Sequence, residues 1–435
     1  MSLTRRNFIQ MVPASAAALA LTSGSTAKAA EPIHHVTVLG GGFAGCTIAK
    51  YIRMWSDGEI AVTLIEPRAN HVSCVMSNLI LNKRLKTADL TFEYNDLQLK
   101  YGVNVVRDKA LKIRGPQKQI RLKNAGWISY DSLVVATGIQ FDKIPGLNYK
   151  NAPHAWIAGG STNKLRNLIN KMPDTGTFVM TVPKTPYRCP PGPYERACVV
   201  ADILGRRSGY LDGSGSTPPR VIVLDANPGI QAEKSTFTSA FNDLYGGIIE
   251  YIPDAQVESV ESDDPNSLVV HTTQGSFGGD VINVIPTHGA QSILRRSGLT
   301  GESRWADVDP VTYATTNTLF QDVYVIGDAQ GTSQPKSGHM ANAQAKICAD
   351  SIIRTVHGQS SYTEERLQNI TTNSACFSPI TYDKASWLTA VYSYNPDTGS
   401  MALVPGSLGE AHNWSTRNFN DMFDWSNNLF ADTFK

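Results

Sequence analysis

The sequence predicts an α/β fold with two Rossmann-like domains, each a parallel sheet flanked by helices, and a small C-terminal α+β domain. An apolar run at residues 35–39 enters glycines spaced G-x-G-x-x-G and continues as a helical pattern. A second apolar run, residues 60–65, ends on an acid. Another strand, turn and helix pattern begins at Thr177. Strands that alternate with helices in this way indicate parallel sheets.

The glycine-rich turn predicts a dinucleotide site. Gly40 permits the tight turn, Gly42 lets the backbone approach a pyrophosphate, and Gly45 lets helix and strand pack closely. The N-terminus of the helix then faces the phosphates. Glu66 lies 21 residues after Gly45, where an acid that hydrogen-bonds the adenosine ribose belongs. A glycine turn alone also ends strands for structural reasons, so the prediction depends on the acid as well.

Two later motifs identify the dinucleotide. A buried strand from Ser132 ends in the Ala-Thr-Gly turn at Gly138, which is typical of flavoproteins built on two dinucleotide-binding folds. A later apolar strand ends in Gly327 and Asp328, and the Asp328 carboxylate can accept hydrogen bonds from a ribityl chain. A helix is predicted from Gly338, with its N-terminus near the flavin ring. The ordered set predicts FAD and a glutathione-reductase-type arrangement.

The second Rossmann-like unit lacks phosphate-binding glycines. Its strand, residues 177–182, runs into a turn with five prolines between residues 183 and 193. Proline has no backbone N–H, so few donors remain to hold a pyrophosphate. We interpret the unit as a nicotinamide-type domain that has lost its nicotinamide site. This disfavours an NAD(P)H-dependent flavin disulfide reductase.

The length of 435 residues allows two or three domains. We expect a discontinuous FAD-binding domain at residues 31–150 and 286–356 and a degenerate nicotinamide-type domain at residues 151–285. A C-terminal capping or interface domain is expected at residues 357–435. Its tryptophans and other aromatic side chains are expected to form its core, with exposure at a partner interface as the alternative.

The N-terminus has the pattern of an export signal. Arg5 and Arg6 precede a mild apolar segment, and Ala27-Lys28-Ala29 has the A-x-A form of a cleavage site. We expect residues 1–30 to be a twin-arginine signal peptide and the mature protein to be periplasmic. Without these residues the chain has 36 basic and 38 acidic side chains, so neither nucleic acid nor anionic membrane is indicated as a partner. No later segment is long and apolar enough to span a bilayer.

The six cysteines divide into two groups. Three lie in helical patterns among aliphatic residues and are expected to be buried small hydrophobic side chains: Cys46, Cys198 and Cys348. Three lie in polar or proline-rich segments: Cys74, Cys189 and Cys376. Cys189 follows the strand where a nicotinamide would face the flavin, so it is well placed for chemistry at the ring. A purely structural disulfide between Cys189 and Cys376 remains an alternative.

These segments together resemble one family. Over almost its whole length the chain is similar to the flavoprotein subunit of flavocytochrome c sulfide dehydrogenase, a relative of sulfide:quinone oxidoreductases. The resemblance is most specific around Cys74, in Tyr-Arg-Cys-Pro-Pro-Gly-Pro-Tyr-Glu at residues 187–195, and at residues 374–379. It implies that Cys74 carries FAD through an 8α thioether. It also implies a redox disulfide between Cys189 and Cys376.

The same resemblance implies the activity. It maps a family glutamate to Glu195 as a candidate base, with a solvated or helix-capping acid as the alternative. The expected reaction is oxidation of sulfide to sulfur or polysulfide, with electrons passed to a c-type cytochrome, either a bound subunit or a soluble protein. The sequence has no C-x-x-C-H motif for a covalent haem of its own. We assign no metal-ligating residues.

Two other functions stay open. A periplasmic sulfide:quinone oxidoreductase would need an exposed apolar or amphipathic C-terminal surface, whereas residues 406–435 are mixed and polar. A non-catalytic accessory flavoprotein of a sulfur-oxidation complex would bind FAD and a partner without turning over sulfide. An assay with sulfide and cytochrome c separates this accessory function from the enzyme.

Overall fold

The structure, a computed structural model, describes residues 31–435. The predicted signal peptide at residues 1–30 lies outside the described residues. Within the described part, no helix combines the length and the apolar character that crossing a membrane requires. The same residues contain no cluster of three His, Cys, Asp or Glu side chains that could hold a metal ion.

The described residues form 23 strands, most of them short. In chain order they are β1 His34–Leu39, β2 Ile60–Ile65, β3 Asn70–Val72, β4 Thr91–Glu93, β5 Asn104–Val106, β6 Ala110–Arg114, β7 Gln119–Leu122, β8 Gly126–Ser129, β9 Ser132–Val135, β10 Ile139–Phe141, β11 Thr177–Val182, β12 Arg220–Asp225, β13 Ile249–Ile252, β14 Val257–Glu261, β15 Val269–Thr272, β16 Gly275–Gly278, β17 Val281–Asn283, β18 His288–Ala290, β19 Val323–Val325, β20 Thr371–Pro379, β21 Ala385–Asn395, β22 Ser400–Leu403 and β23 Gly409–Glu410.

Nine α-helices alternate with these strands in the described chain. They are α1 Phe43–Trp55, α2 Asn95–Tyr101, α3 Gly160–Lys171, α4 Gly192–Arg207, α5 Lys234–Ser239, α6 Ser292–Ser297, α7 Gly338–Val356, α8 Glu364–Asn369 and α9 Thr416–Phe434. Short 3₁₀ segments lie at Ser77–Ile80, Thr87–Leu90 and Gly327–Ala329, and a π-helical turn lies at Ala240–Leu244.

The first sheet is fully parallel, in the order β19–β9–β1–β2–β5. Its central strand β1 is buried at all but its first residue because helices cover both faces of the sheet. Gly40 follows β1 with φ of +101°, a conformation that favours glycine. A Cβ on Gly45 would lie 1.8 Å from the Gly40 carbonyl oxygen, so only glycine lets α1 approach the strand.

The second sheet is also parallel, in the order β13–β12–β11–β17. The helix after β11 is α4, which begins at Gly192, inside the proline-rich turn. Pro193 lies in its first turn, where a missing N–H costs nothing. Two parallel sheets flanked by helices confirm the predicted α/β class with two Rossmann-like units.

The C-terminal region is an antiparallel sheet of β20, β21 and β22, with β23 paired to β21, followed by α9. The apolar side of α9 packs against the first domain. The Phe434 ring lies 5.3 Å from that of Phe43 and stacks on that of Phe92 at 4.6 Å. Three phenylalanines of α9 are buried as expected, Phe419, Phe430 and Phe434, whereas Phe423, Trp387 and Trp425 remain partly exposed.

Candidate active site

A cleft of about 390 Å³ runs along the carboxyl ends of the first sheet, and we call it the dinucleotide cleft. Its lining includes seven of the eight residues predicted to bind the cofactor: Gly40, Gly42, Glu66, Cys74, Gly138, Gly327 and Asp328. The eighth, Gly45, packs α1 against β1 beneath the cleft. The carboxyl end of a parallel sheet is where ligands of such folds bind.

The residues of the dinucleotide cleft fit a flavin dinucleotide. A Cβ on Gly42 would meet only the His71 ring, at 3.7 Å, so the backbone there is open to a close approach. Two buried oxygens, Asp328 Oδ1 and Thr137 Oγ1, have no hydrogen-bond partner among residues 31–435. Buried polar atoms normally have partners, so both point to a polar ligand such as a ribityl chain or pyrophosphate.

Glu66 is held at the end of β2 with 3% of its surface exposed. Its Oε2 accepts the Gly41 N–H at 2.9 Å, and its Oε1 accepts both the N–H and the Nε–H of Arg68, at 2.9 and 3.0 Å. A carboxylate offers about four lone pairs. The fixed Glu66 therefore retains acceptor capacity for a ribose hydroxyl.

A smaller cavity of about 60 Å³ adjoins the cleft and has room for a few water-sized molecules. We call it the cysteine cavity, because its lining brings together four of the residues selected from the sequence: Cys74, Cys189, Glu195 and Cys376. Cys74 lines both spaces. All six cysteines of the described chain are free thiols, so the disulfide between Cys189 and Cys376 stays a prediction.

Cys189 sits in a constrained turn. Its φ of +59° lies in the left-handed region, where a non-glycine residue is uncommon. The Cys189 N–H donates to the Lys336 carbonyl at 2.7 Å, and a Cβ on Gly192 would lie 2.9 Å from the Cys189 Sγ. Burial raises the pKa of this thiol well above its usual value, and the charges of Cys376 and Glu195 add to the effect.

Cys376 lies in the middle of β20, opposite Leu388 of β21. The preceding N–H, of Ala375, donates to His339 Nδ1 at 3.0 Å, which fixes the strand against the start of α7. Burial raises the pKa of the Cys376 thiol to about 12, with further contributions from Glu233 and Glu195. Burial therefore favours the neutral thiol form of both Cys189 and Cys376.

Glu195 is a buried acid, with 7% of its surface exposed. It lies in the first turn of α4, and its Oε1 accepts a hydrogen bond from the Asn78 side-chain amide at 3.0 Å. Burial raises its pKa to about 8, although Asn78 and Arg196 oppose the shift. The alternative of a solvated or helix-capping acid is wrong, because the side chain is buried and α4 has no side-chain cap.

Comparisons with known proteins agree with this architecture. The central-region family described as "Sulfide dehydrogenase [flavocytochrome c] flavoprotein chain, central" matches residues 162–286, and the pyridine nucleotide-disulphide oxidoreductase family matches residues 34–170. A sulfide dehydrogenase [flavocytochrome c] flavoprotein chain from Chlorobaculum thiosulfatiphilum is 49% identical over 45 residues, 10% of this chain and 92% of that sequence. The chain belongs to the sulfide dehydrogenase and sulfide:quinone oxidoreductase family of flavoproteins.

Two further members or neighbours of this flavoprotein family extend over most of the chain. The mitochondrial sulfide:quinone oxidoreductase of Mus musculus is 24% identical over 358 residues, covering 78% of this chain and 75% of its own length. The structure of the sulfide:quinone oxidoreductase from Aquifex aeolicus superposes with a TM-score of 0.72 at 16% identity, covering 92% of each chain. That structural likeness supports the shared fold.

In this member of the family, polar groups of the nicotinamide-type domain are hydrogen-bonded to side chains of the same domain. Asp225, at the end of β12, is fully buried and accepts hydrogen bonds from the hydroxyls of Tyr194 and Tyr251 at 2.7 and 2.8 Å. In the proline-rich turn, Thr185 N–H donates to Asn227 Oδ1 at 3.0 Å. The groups that would contact a nicotinamide dinucleotide are already paired, which favours the interpretation of a lost site.

Arg196 also lines the cysteine cavity, and sequence reasoning did not select it. This guanidinium has 1% of its surface exposed and donates to the Asn78 and Asn283 side-chain oxygens, both at 2.9 Å. It also donates to the Ala155 carbonyl at 2.6 Å and lies over the Trp156 ring at 4.9 Å. A basic residue inside the aliphatic α4 pattern was the one available signal. Asn78 offered none, because its partners are more than 100 residues away.

Proposed function

We propose that the protein is a periplasmic FAD-dependent sulfide dehydrogenase that oxidises sulfide to sulfur or polysulfide and passes the electrons to a c-type cytochrome. The observation that carries this proposal is the convergence of Cys189, Cys376 and Glu195 on one small cavity beside the dinucleotide cleft. The cavity suits a substrate of a few atoms. The relative from Chlorobaculum thiosulfatiphilum supports the same substrate class.

The chemistry uses Cys189 and Cys376 as a disulfide that opens and re-forms. Hydrosulfide attacks one sulfur, so that a new S–S bond forms as a persulfide while the old S–S bond breaks and releases the other cysteine as a thiolate. Ionised Glu195 accepts the proton that the incoming sulfide loses. When bound, FAD would supply the two-electron oxidant that lets the persulfide and the thiolate rejoin, and it would then give the electrons up one at a time. The added sulfur leaves as sulfane sulfur or polysulfide when the pair closes again.

Cys74 is the proposed attachment point of FAD through an 8α thioether. Its thiol lines the dinucleotide cleft and the cysteine cavity at once. A flavin attached there would have its ring at the boundary between the two spaces. The N-terminus of α7, at Ser337 and Gly338, lines the same boundary and favours negative charge.

The acceptor distinguishes two candidate functions. The names of the relatives from Mus musculus and Aquifex aeolicus favour quinone. The packing of α9 favours a cytochrome, because its apolar side contacts Phe43, His71 and Phe92 of its own chain instead of facing outward. An accessory flavoprotein without turnover is the third possibility.

One assay separates the three. Purified mature protein is mixed with sulfide under anaerobic conditions, with either oxidised cytochrome c or a water-soluble quinone as acceptor. We expect sulfide-dependent cytochrome c reduction that exceeds quinone reduction. Faster quinone reduction would favour a sulfide:quinone oxidoreductase, and no reduction of either acceptor would favour the accessory flavoprotein.

The periplasmic location depends on residues 1–30. We propose that the twin-arginine pair at Arg5 and Arg6 directs export of the folded, FAD-loaded chain, and that cleavage follows Ala29. Fractionation of cells that express the full chain is expected to give a periplasmic protein whose N-terminal sequence starts at Ala30 or close to it. Replacing both arginines by lysine is expected to retain the precursor in the cytoplasm.

A further inference from the structure

The proline-rich turn that carries Cys189 joins β11 to α4, and the end of β12 lies directly beside its first residue. β11 and β12 are parallel neighbours, with Val182 opposite Asp225. Two polar side chains at this end of β12, Asp225 and Asn227, expose 0% and 1% of their surface. Buried polar side chains need hydrogen-bond partners, and these two find them in the turn or next to it.

Asn227 fixes the beginning of the turn. Its Oδ1 accepts the Thr185 N–H at 3.0 Å, and its Nδ2 donates to the Pro183 carbonyl at 3.0 Å. Asp225 in turn orients Asn227, because Asp225 Oδ1 accepts both the N–H and the Nδ2–H of Asn227, at 2.9 and 2.8 Å. The carboxylate therefore sets the direction of the amide that binds the first part of the turn.

The other oxygen of Asp225 leads to the far end of the turn through two tyrosines. Asp225 Oδ2 accepts the hydroxyl of Tyr194, which lies in the first turn of α4, at 2.7 Å. The Tyr187 hydroxyl oxygen lies 3.5 Å from that of Tyr194 and donates to the Pro190 carbonyl at 3.0 Å. Pro190 directly follows Cys189, so the turn is held on both sides of the cysteine.

The turn needs such support because of the backbone at Cys189. Its φ of +59° is costly for a residue with a side chain, and a conformation of this kind persists only where its surroundings impose it. With Tyr251, which donates at 2.8 Å, Asp225 accepts four hydrogen bonds, about the full capacity of a carboxylate. Three of the four lead to the turn, and no acceptor position remains for a ribose.

We propose that Asp225 is a positioning residue for Cys189. Through Asn227, Tyr194 and Tyr187 it holds the proline-rich turn in the conformation that places Cys189 in the wall of the cysteine cavity. The position that binds a ribose in a nicotinamide site thus supports a cysteine here. The use of this positioning during turnover rests on the proposed function.

The test measures alkylation of the reduced, FAD-loaded mature chain by iodoacetamide, with the Cys189 and Cys376 peptides followed separately by mass spectrometry. The cysteine cavity has room for only a few water-sized molecules, so the reagent reaches Cys189 when the turn opens. In Asp225→Ala the Cys189 rate is expected to rise, by about 2- to 12-fold for each hydrogen bond lost. Cys376, held in the middle of β20, is expected to change much less.

Two matched variants each remove one hydroxyl from the same oxygen of Asp225. Tyr194→Phe breaks the connection to the turn and is expected to raise the Cys189 rate. Tyr251→Phe removes a donor that reaches the carboxylate from β13, outside the turn, and is expected to leave the Cys189 rate unchanged. If Asp225→Ala does not fold, this pair of variants decides the question.

Asp225→Asn tests whether hydrogen bonding rather than charge positions the turn. Its amide oxygen can accept from Asn227, and its NH₂ group can donate to the hydroxyl oxygens of Tyr194 and Tyr251. The Cys189 rate is therefore expected to return close to the wild-type value. A rate as high as that of Asp225→Ala would contradict the proposal.

Reduction of the flavin by sulfide adds a measurement on the reaction itself. In Asp225→Ala the limiting rate at saturating sulfide is expected to fall, by up to about 100-fold, while the sulfide concentration that gives half of this rate changes less. A loss of domain stability alone would lower the flavin content and the unfolding midpoint, and would leave the limiting rate per bound flavin unchanged.

An unchanged Cys189 alkylation rate in folded Asp225→Ala would overturn the proposal. Equal increases at Cys189 and Cys376, or equal effects of Tyr194→Phe and Tyr251→Phe, would also overturn it, because they indicate a general loosening. Alkylation requires no turnover. A protein that shows the selective effect at Cys189 but does not oxidise sulfide would therefore retain the positioning and refute only the proposed function.

Discussion

Arg188 and Asp328 form an ion pair across the boundary between the cysteine cavity and the dinucleotide cleft, with 3.9 Å between Nη1 and Oδ2. Arg188 precedes Cys189, and Asp328 lines the cleft next to Gly327. The Arg188 charge lowers the pKa of Cys189 and of Asp328, against the raising effect of burial on both. One guanidinium thus favours the ionised form of a group in each space and links the two sites electrostatically.

Covalent attachment is the first prediction. FAD is expected to stay on the chain through acid denaturation, because Cys74 lies where the cleft meets the cysteine cavity. Acid-precipitated wild-type protein should be yellow and should have the mass of the mature chain plus FAD. Cys74→Ser should release the colour into the supernatant, and Cys46→Ala, at a buried cysteine of α1, should not. Free FAD from the wild-type protein would contradict the attachment.

NADH and NADPH are expected not to reduce the flavin. Asp225, at the end of β12 where an acid for the adenosine ribose of NAD would lie, is buried and already bonded to Tyr194 and Tyr251, and the proline-rich turn has few free amides. Anaerobic mixing with excess NADH should leave the oxidised flavin spectrum unchanged. Dithionite, as the positive control, should bleach the same sample. Rapid bleaching by NADH would restore the disulfide reductase as the leading function.

Ionisation of Glu195 is expected to make the activity rise with pH. Its pKa of about 8 means that the ionised base becomes more populated as pH rises through 8. The kcat/KM for sulfide should therefore rise across that range in the wild type, while Glu195→Gln should be lower by on the order of 10²–10⁴-fold and lack the rise that Glu195 causes. The ionisation of hydrosulfide is the same in both assays, so the profile of the variant shows how much of the pH dependence comes from the substrate alone. Parallel profiles would contradict the assignment.

Arg196 is expected to contribute to stability. Arg196→Met would leave the Asn78 and Asn283 oxygens buried without their donor, at a cost on the order of 2–6 kcal/mol in the free energy of unfolding. Arg220→Met, whose ion pair with Glu250 is exposed on both sides at 57% and 49%, should cost about 1 kcal/mol or less. Denaturant unfolding of both variants gives the comparison. Similar losses would indicate that the buried network adds no specific stability.

The sequence was most informative where the chemistry depends on local spacing. The glycines of the first turn, Glu66, and the strand that ends at Asp328 all line one cleft because the carboxyl ends of parallel strands meet at one edge. The sorting of cysteines also succeeded, since Cys46, Cys198 and Cys348 are fully buried in helices. These features follow from periodicity within a few residues.

The parts that could not be predicted depend on contacts between distant segments. Asn78 and Glu195 are 117 positions apart, and Glu233 and Ser378 are 145 apart, so no local pattern relates them. The burial of Glu195 was likewise invisible, because a first-turn acid usually faces solvent and the segment of Asn78 covers it here. The packing of α9 against the first domain is also a contact between segments that are distant in sequence.

The most direct test of the account is anaerobic mixing of the purified protein with sulfide in the absence of any acceptor, followed through the visible absorbance of the flavin. Rapid bleaching is expected for the wild type and for Cys348→Ala, at a buried cysteine of α7. Cys189→Ser and Cys376→Ser should hold the same amount of flavin and remain oxidised. A wild-type flavin that sulfide leaves oxidised, or wild-type bleaching in either serine variant, would contradict sulfide oxidation through this cysteine pair.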